Sequence, residues 1–290
     1  MRLHPYVGLG IGILCLSWAA ILIRMADAPP LIIGAFRLSM AALVLIPIAV
    51  MKSRRELLSM DRTSWLLAVF SGVMLSAHFA SWMTSLSYTS VASSVVLVTT
   101  YPIFVGLVSH FFLKERISRG IIFGIAVASL GAMVIGYGDF GTEGDRIYGD
   151  GLAVIGAISG AGYFLIGARL RGYVSLLSYI TIVYTTAAVL LMAMALAAGE
   201  TLSGYSWTTY GIILLMALGP QLLGHSSLNW ALRYLSAVFV SVSTLAEPVV
   251  ATGLAYFILN EGVNGSRIAG SMLVLAGIYL VLSRRTSEIN

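Results

Sequence analysis

Ten stretches of this chain are long and apolar enough to cross a lipid bilayer. A spanning helix needs about 20 mostly apolar residues, and the stretches near 6–26, 30–51, 64–85, 91–112, 117–137, 149–169, 175–198, 207–230, 236–258 and 266–283 meet that requirement. In lipid every backbone amide must find its partner inside the protein, so runs of this kind fold as a bundle of helices. Charged residues make up only 10% of the 290, against about 25% in soluble domains, and the mean hydropathy is +0.94. The fold class expected is therefore an all-α membrane protein with ten transmembrane helices.

The second constraint is an internal repeat. Tyr101-Pro102 in the first half matches Glu247-Pro248 in the second at an offset of 146 residues. The same offset pairs Tyr88 with Tyr234, Ser90 with Ser236, Val96 with Val242, Phe111 with Phe257, Leu113 with Leu259, Glu115 with Glu261, Ile122 with Ile268, Gly124 with Gly270 and Gly131 with Gly277. Residues 1–137 thus form one repeat and 149–290 the other, joined by an acidic, glycine-rich linker at 138–148. Five spans per repeat is an odd number, so the second copy is expected upside down relative to the first, as in many transporters. Small residues four apart, such as Gly8 and Gly12, Gly120 and Gly124, or Gly156 and Gly160, suit close helix approach.

Basic residues give an orientation. With both termini inside, the cytoplasmic side collects Arg2, Lys52, Arg54, Arg55, Arg62, Lys114, Arg116, Arg119, Arg169, Arg171, Arg233, Arg284 and Arg285, and the outer side keeps Arg24, Arg146 and Arg267. The bias predicts N-in and C-in. The N-terminal segment ends in Ala26-Asp27-Ala28, like a secretion signal. Pro29 after the cleaved bond and Arg24 before it argue against cleavage, and Leu14 before Cys15 argues against lipidation, so the segment reads as the first span.

The net charge of +5 is dispersed and gives no nucleic-acid patch. One cysteine allows no internal disulfide, and without a Cys/His cluster no metal or other cofactor is expected. Gly136-Tyr137-Gly138-Asp139 matches the string of intramembrane aspartyl proteases, but that chemistry needs a second aspartate facing the first within the membrane, and Asp139 itself falls in the linker. Nucleophile-elbow, zinc-helix and phosphate-loop motifs are also missing. Catalysis is not expected.

These features resemble the drug/metabolite transporter superfamily in its ten-helix EamA branch. Trp18 and Arg24 in helix 1, Phe36-Arg37-Leu38 with Ala41-Ala42-Leu43 in helix 2, and Glu247-Pro248 with Leu259-Asn260-Glu261 carry the likeness, with Leu113-Lys114-Glu115 as the first-repeat partner. The resemblance spans the whole chain. It implies export or facilitated passage of small metabolites across the cell inner (plasma) membrane, with the bilayer and a small molecule as partners and a monomer among the states allowed. Within the family the aromatic and neutral amino-acid exporters look closest. Multidrug efflux and lipid or lipid-linked-sugar flipping are the alternatives.

The residues expected to bind substrate are those that lipid makes costly. Arg37 and Glu247 are ionisable groups inside spans and break the repeat symmetry. They could pair with each other or take the two ends of a zwitterion, Glu247 could carry a coupling proton, and Arg37 could instead extend to the interface. Pro102 and Pro248 remove amides from the helix ladder, so their helices are expected to kink beside a cavity, with gating at the kinks. His78 and Trp82 share one helix face, and Asn229 lies one turn from His225 with Trp230 beside it. Trp18 matches Tyr163 at an offset of 145. Together with Tyr101 these rings with polar tips suit a ligand with an apolar body and a polar end. Trp65, Trp207 and Tyr6 read as interfacial anchors, and Glu115 and Glu261 as caps for the following helices.

Overall fold

Helix starts follow from local chemistry. Pro5 and Pro30 occupy first-turn positions where the missing amide costs nothing. Asp61, Ser175, Ser206 and Ser236 stand just before other helices and accept the amide of the residue three further on, at 3.0, 3.2, 3.1 and 3.3 Å. The computed structural model describes residues 4–89, 91–111, 118–136, 144–259 and 265–289. Among them it is all-helical.

Among the described residues, eight helices are long and apolar enough to cross a membrane: α1 Pro5–Met25, α2 Pro30–Lys52, α3 Arg62–Ser85, α4 Ser93–Phe111, α6 Asp145–Leu170, α7 Leu176–Ala197, α8 Trp207–Ala231 and α9 Ala237–Ile258. Two shorter apolar helices, α5 Arg119–Val134 and α10 Ile268–Val281, stand where the remaining two spans were expected. A short helix, Arg54–Ser59, joins α2 to α3. Part of the expected linker is helical, because the helix that contains span α6 runs over Gly144–Leu170. Leu113, Lys114, Glu115, Asn260, Glu261, Ser90 and the linker residues 138–143 lie outside the described residues.

The packing is built from preferred pairs: α2 against α7, α3 against α6, α1 against α8 and α5 against α10, while α4 packs mainly on α6 and also meets α9. Glycines set the closest of these. A β-carbon on Gly131 would lie 2.6 Å from the Gly270 carbonyl, and one on Gly277 would lie 2.7 Å from that of Gly124. The repeat-matched glycines of α5 and α10 therefore face one another crosswise, in an antiparallel contact no larger side chain fits. Large apolar residues such as Leu43, Val189 and Phe257 point outward, as a lipid-facing surface requires.

Candidate functional site

Both repeat-matched prolines follow interruptions of their helices. Helix α4 is interrupted at Thr99-Thr100, between the segments Val91–Val98 and Tyr101–Phe111. Helix α9 tightens into a 3₁₀ turn over Thr244–Ala246, immediately before Glu247-Pro248. Polar groups near these breaks are met locally: the hydroxyl of Thr99 donates to the Val95 carbonyl at 2.7 Å, Thr100 to Leu97 at 2.6 Å and Thr244 to Ser241 at 2.7 Å. Because the Thr244 proton is committed to Ser241, the Thr244 oxygen accepts from the Tyr101 hydroxyl. One hydrogen bond thus ties the two breaks together.

Beside the breaks, α1, α3, α6 and α8 help close a cavity of about 40 Å³. His78, Trp82, Tyr101, Tyr163 and Glu247 line it, and Thr99, Phe164 and His225 complete its polar and aromatic wall. Ligand pockets run to roughly 300–1,000 Å³, so this cavity must widen before a metabolite fits. The rings pack against one another in pairs. His78 lies 5.9 Å from Trp82 and Tyr101 lies 5.0 Å from Phe164. The Nδ1 of His78 lies 2.8 Å from the Gly156 carbonyl. A carbonyl only accepts, so Nδ1 carries the proton and Nε2 is left as an acceptor.

Arg37 has more unpaired buried polar atoms than any other of the described residues. It is fully buried, its guanidinium carbon sits 4.5 Å above the centre of the Phe79 ring, and none of its nitrogens has a hydrogen-bond partner. Cation–π contact contributes about 0.5–2 kcal/mol, whereas each unsatisfied buried donor costs about 1–3 kcal/mol. The ring contact does not offset that cost. The hydrogen-bonded pair with Glu247 is not formed, because the guanidinium is turned onto Phe79. Nor does Arg37 extend to an interface.

Three other expected lining residues lie elsewhere. Asn229 is buried behind the wall, where its amide nitrogen donates to the Tyr163 hydroxyl and, at 2.8 Å, to the His225 carbonyl. It fixes Tyr163 rather than facing the cavity. Trp230 lines a separate recess of about 960 Å³ with Arg233, Tyr234 and Pro5, on the face that carries the N-terminus. Trp18 is 43% exposed, since helix α1 breaks at Ser17-Trp18 and turns the indole outward. Of the interfacial anchors, Tyr6, Trp65 and Trp207 are all exposed.

The sequence reading missed several supports. Helix α8 carries a stretch of π-helix, Ala217–His225, around Gly219-Pro220; that dipeptide was the available signal. Tyr184 is fully buried, with its hydroxyl 3.2 Å from that of Ser226. Arg171, expected as a cytoplasmic surface charge, is buried and donates to the carbonyls of Asn229, at 3.1 Å, and Val174. Burial and neighbouring Arg233 pull its pKa down to about 10, so it remains a cation at neutral pH.

The two ends of the bundle differ. On the N-terminal face the Glu56 carboxylate reaches across from the short Arg54–Ser59 helix to the start of α7. It accepts the Ser175 amide at 2.7 Å, the Ser178 hydroxyl at 2.5 Å, and the Ser175 hydroxyl. Partial burial works to raise this carboxyl, but those bonds and the nearby Arg171 charge outweigh it and hold Glu56 below its usual range. At the opposite face Arg24 donates to the Thr89 carbonyl at 2.9 Å, Ser85 and Ser94 share a hydrogen bond of 2.6 Å, and Tyr88 packs edge-on to Tyr148 at 5.0 Å.

Known proteins agree with this architecture. The profile of the EamA-like transporter family matches residues 7–137 and again 147–283. The chain belongs to the EamA-like transporter family. An uncharacterized transporter of Archaeoglobus fulgidus is 30% identical over 68% of this chain and 70% of its own length. The Bacillus subtilis transporter YoaV is 23% identical over 91% of both chains. CntI of Pseudomonas aeruginosa, named as a pseudopaline exporter, is 28% identical over 73% of each. A solved crystal structure superimposes with a TM-score of 0.80 over 97% of this chain and 98% of its own, at 17% identity, which speaks for the fold. This EamA-like protein is a multi-pass membrane transporter of small metabolites.

Proposed function

We propose that the transporter exports, or facilitates the passage of, aromatic and other neutral amino acids by alternating access at the His78–Tyr101–Tyr163–Glu247 cavity. The observation that carries this reading is the wall itself. Aromatic rings surround one carboxylate, Glu247, and one histidine acceptor, His78 Nε2. Rings suit an apolar side chain, and those two groups suit an ammonium. The large recess on the N-terminal face and the hydrogen-bonded opposite face support a state entered from the N-terminal side.

Ten spans in two inverted five-helix repeats, with both termini cytoplasmic in the inner membrane, form the frame of the proposal. The crosswise contact of Gly124 with Gly277 and of Gly131 with Gly270 supports it, since a two-fold axis in the membrane would carry each contact into the other. Pro102 and Pro248 then serve as hinges linked through Tyr101 and Thr244.

Uptake of labelled amino acids into proteoliposomes, with and without a pH gradient, tests the function. The expected result is uptake competed by phenylalanine, tryptophan or methionine. Dependence on the gradient would assign a coupling proton to Glu247 or a histidine. No amino-acid flux in vesicles that hold folded protein would sink the reading in favour of drug or lipid substrates.

A further inference from the structure

The layer around Arg37 holds several buried polar groups without hydrogen-bond partners. Its guanidinium has no partner, and neither do the indole N–H of Trp82 and the Nδ1 of His225. The Gln221 amide, on the π-helical stretch of α8, also closes no hydrogen bond of good geometry. These groups come from α2, α3 and α8; α2 packs on both of the others, and α3 and α8 line the cavity. One ring connects Arg37 to that cavity. Phe79 lies under the guanidinium, and its ring centre is 5.1 Å from that of His78 and 5.3 Å from that of His225, both of which line the wall. No protein carboxylate fills the deficit, since Glu247 makes no bond to Arg37.

We propose that Arg37 is the carboxylate-binding residue of this transporter, covered by the Phe79 ring while the cavity is empty and reached when an entering substrate displaces that ring. The assignment rests on the amino-acid reading above and gives it a polarity. The ammonium faces Glu247 and His78 Nε2, the carboxylate goes to Arg37, and the side chain lies against Tyr101, Phe164 and Trp82. A planar guanidinium grips a carboxylate with two parallel bonds, which makes Arg37 the residue that separates amino acids from amines of the same shape.

The test is binding to the purified full-length protein, read by ligand-induced thermal stabilisation with phenylalanine, phenylalaninamide, 3-phenylpropionate and phenethylamine. Wild type is expected to bind phenylalanine at least about tenfold more tightly than phenylalaninamide. Arg37→Gln should abolish that preference by weakening phenylalanine far more than phenethylamine. Arg37→Lys, which keeps the charge but loses the planar fork, should fall between them, and it carries the test if Arg37→Gln does not fold. A folded variant that keeps the full preference for the carboxylate overturns the proposal, as does a wild-type protein that binds amide and acid alike. If phenylalanine does not bind but glutarate does, and only with Arg37 present, the aromatic amino-acid reading fails while the role of Arg37 stands. If no carboxylate binds, both fail.

Discussion

At the break in α4 the residue before the proline is Tyr101, and at the matching break in α9 it is Glu247. The backbones are alike because proline removes the same amide and crowds the same preceding turn in both helices. The side chains divide the work. Tyr101 holds the two breaks together through Thr244, and Glu247 brings a carboxylate to the cavity. A repeat fixes where a chain bends, and the departures from the repeat fix what the bend does chemically.

The largest effect should come from removing the chemistry and keeping the bend. Glu247→Gln should lower amino-acid uptake into proteoliposomes by at least about tenfold, equivalent to ~1.4 kcal/mol, with membrane insertion unchanged. Uptake near the wild-type rate would mean that the carboxylate faces the cavity without acting there. Tyr101→Phe keeps the ring and loses the hydrogen bond to Thr244. A net hydrogen bond is worth about 0.5–1.5 kcal/mol, so uptake should fall by several-fold, in turnover more than in KM. An equal loss from both variants would erase the distinction between the two breaks.

Much of this contrast is legible in the sequence, and its limits are physical. Runs of about 20 apolar residues mark spans to within a few positions, and proline marks the breaks. Which way a side chain points is another matter. Trp18 and Tyr163 match in the repeat, yet Tyr163 is buried in the cavity wall and Trp18 faces outward. Both lie on helices that are apolar all round, so no polar stripe tells inside from outside. The burial of Arg37 and Arg171 was hidden for a related reason. A basic residue near a span end can extend to water or fold inward with the same neighbours in sequence, and only packing against Phe79 or Asn229 decides.

A smaller effect lies at the N-terminal face, where the halves are joined by a hydrogen-bonded carboxylate. The folded pKa of Glu56 lies below its unfolded value, so its contribution to stability is complete above the ordinary glutamate range, near pH 4.3, and is lost as pH falls through the folded pKa. Thermal unfolding of wild type and Glu56→Gln should therefore differ at neutral pH and converge on acidification. A gap that stays constant with pH would remove Glu56 from the joint. The smallest effect belongs to Trp18→Leu, which should leave uptake within about twofold of wild type. A large loss would return Trp18 to the cavity by way of a state other than this one.

The most direct measurement is side-resolved labelling of a cavity cysteine. In a Cys15→Ala background, Thr99→Cys places one thiol in the cavity wall at the α4 break. Sealed vesicles of known orientation would be treated with a membrane-impermeant thiol reagent, with and without phenylalanine. The account predicts labelling from the N-terminal face in the empty protein and a shift of reactivity toward the opposite face as substrate is added. Labelling from both faces at once, or reactivity that phenylalanine does not change, would contradict alternating access at this cavity.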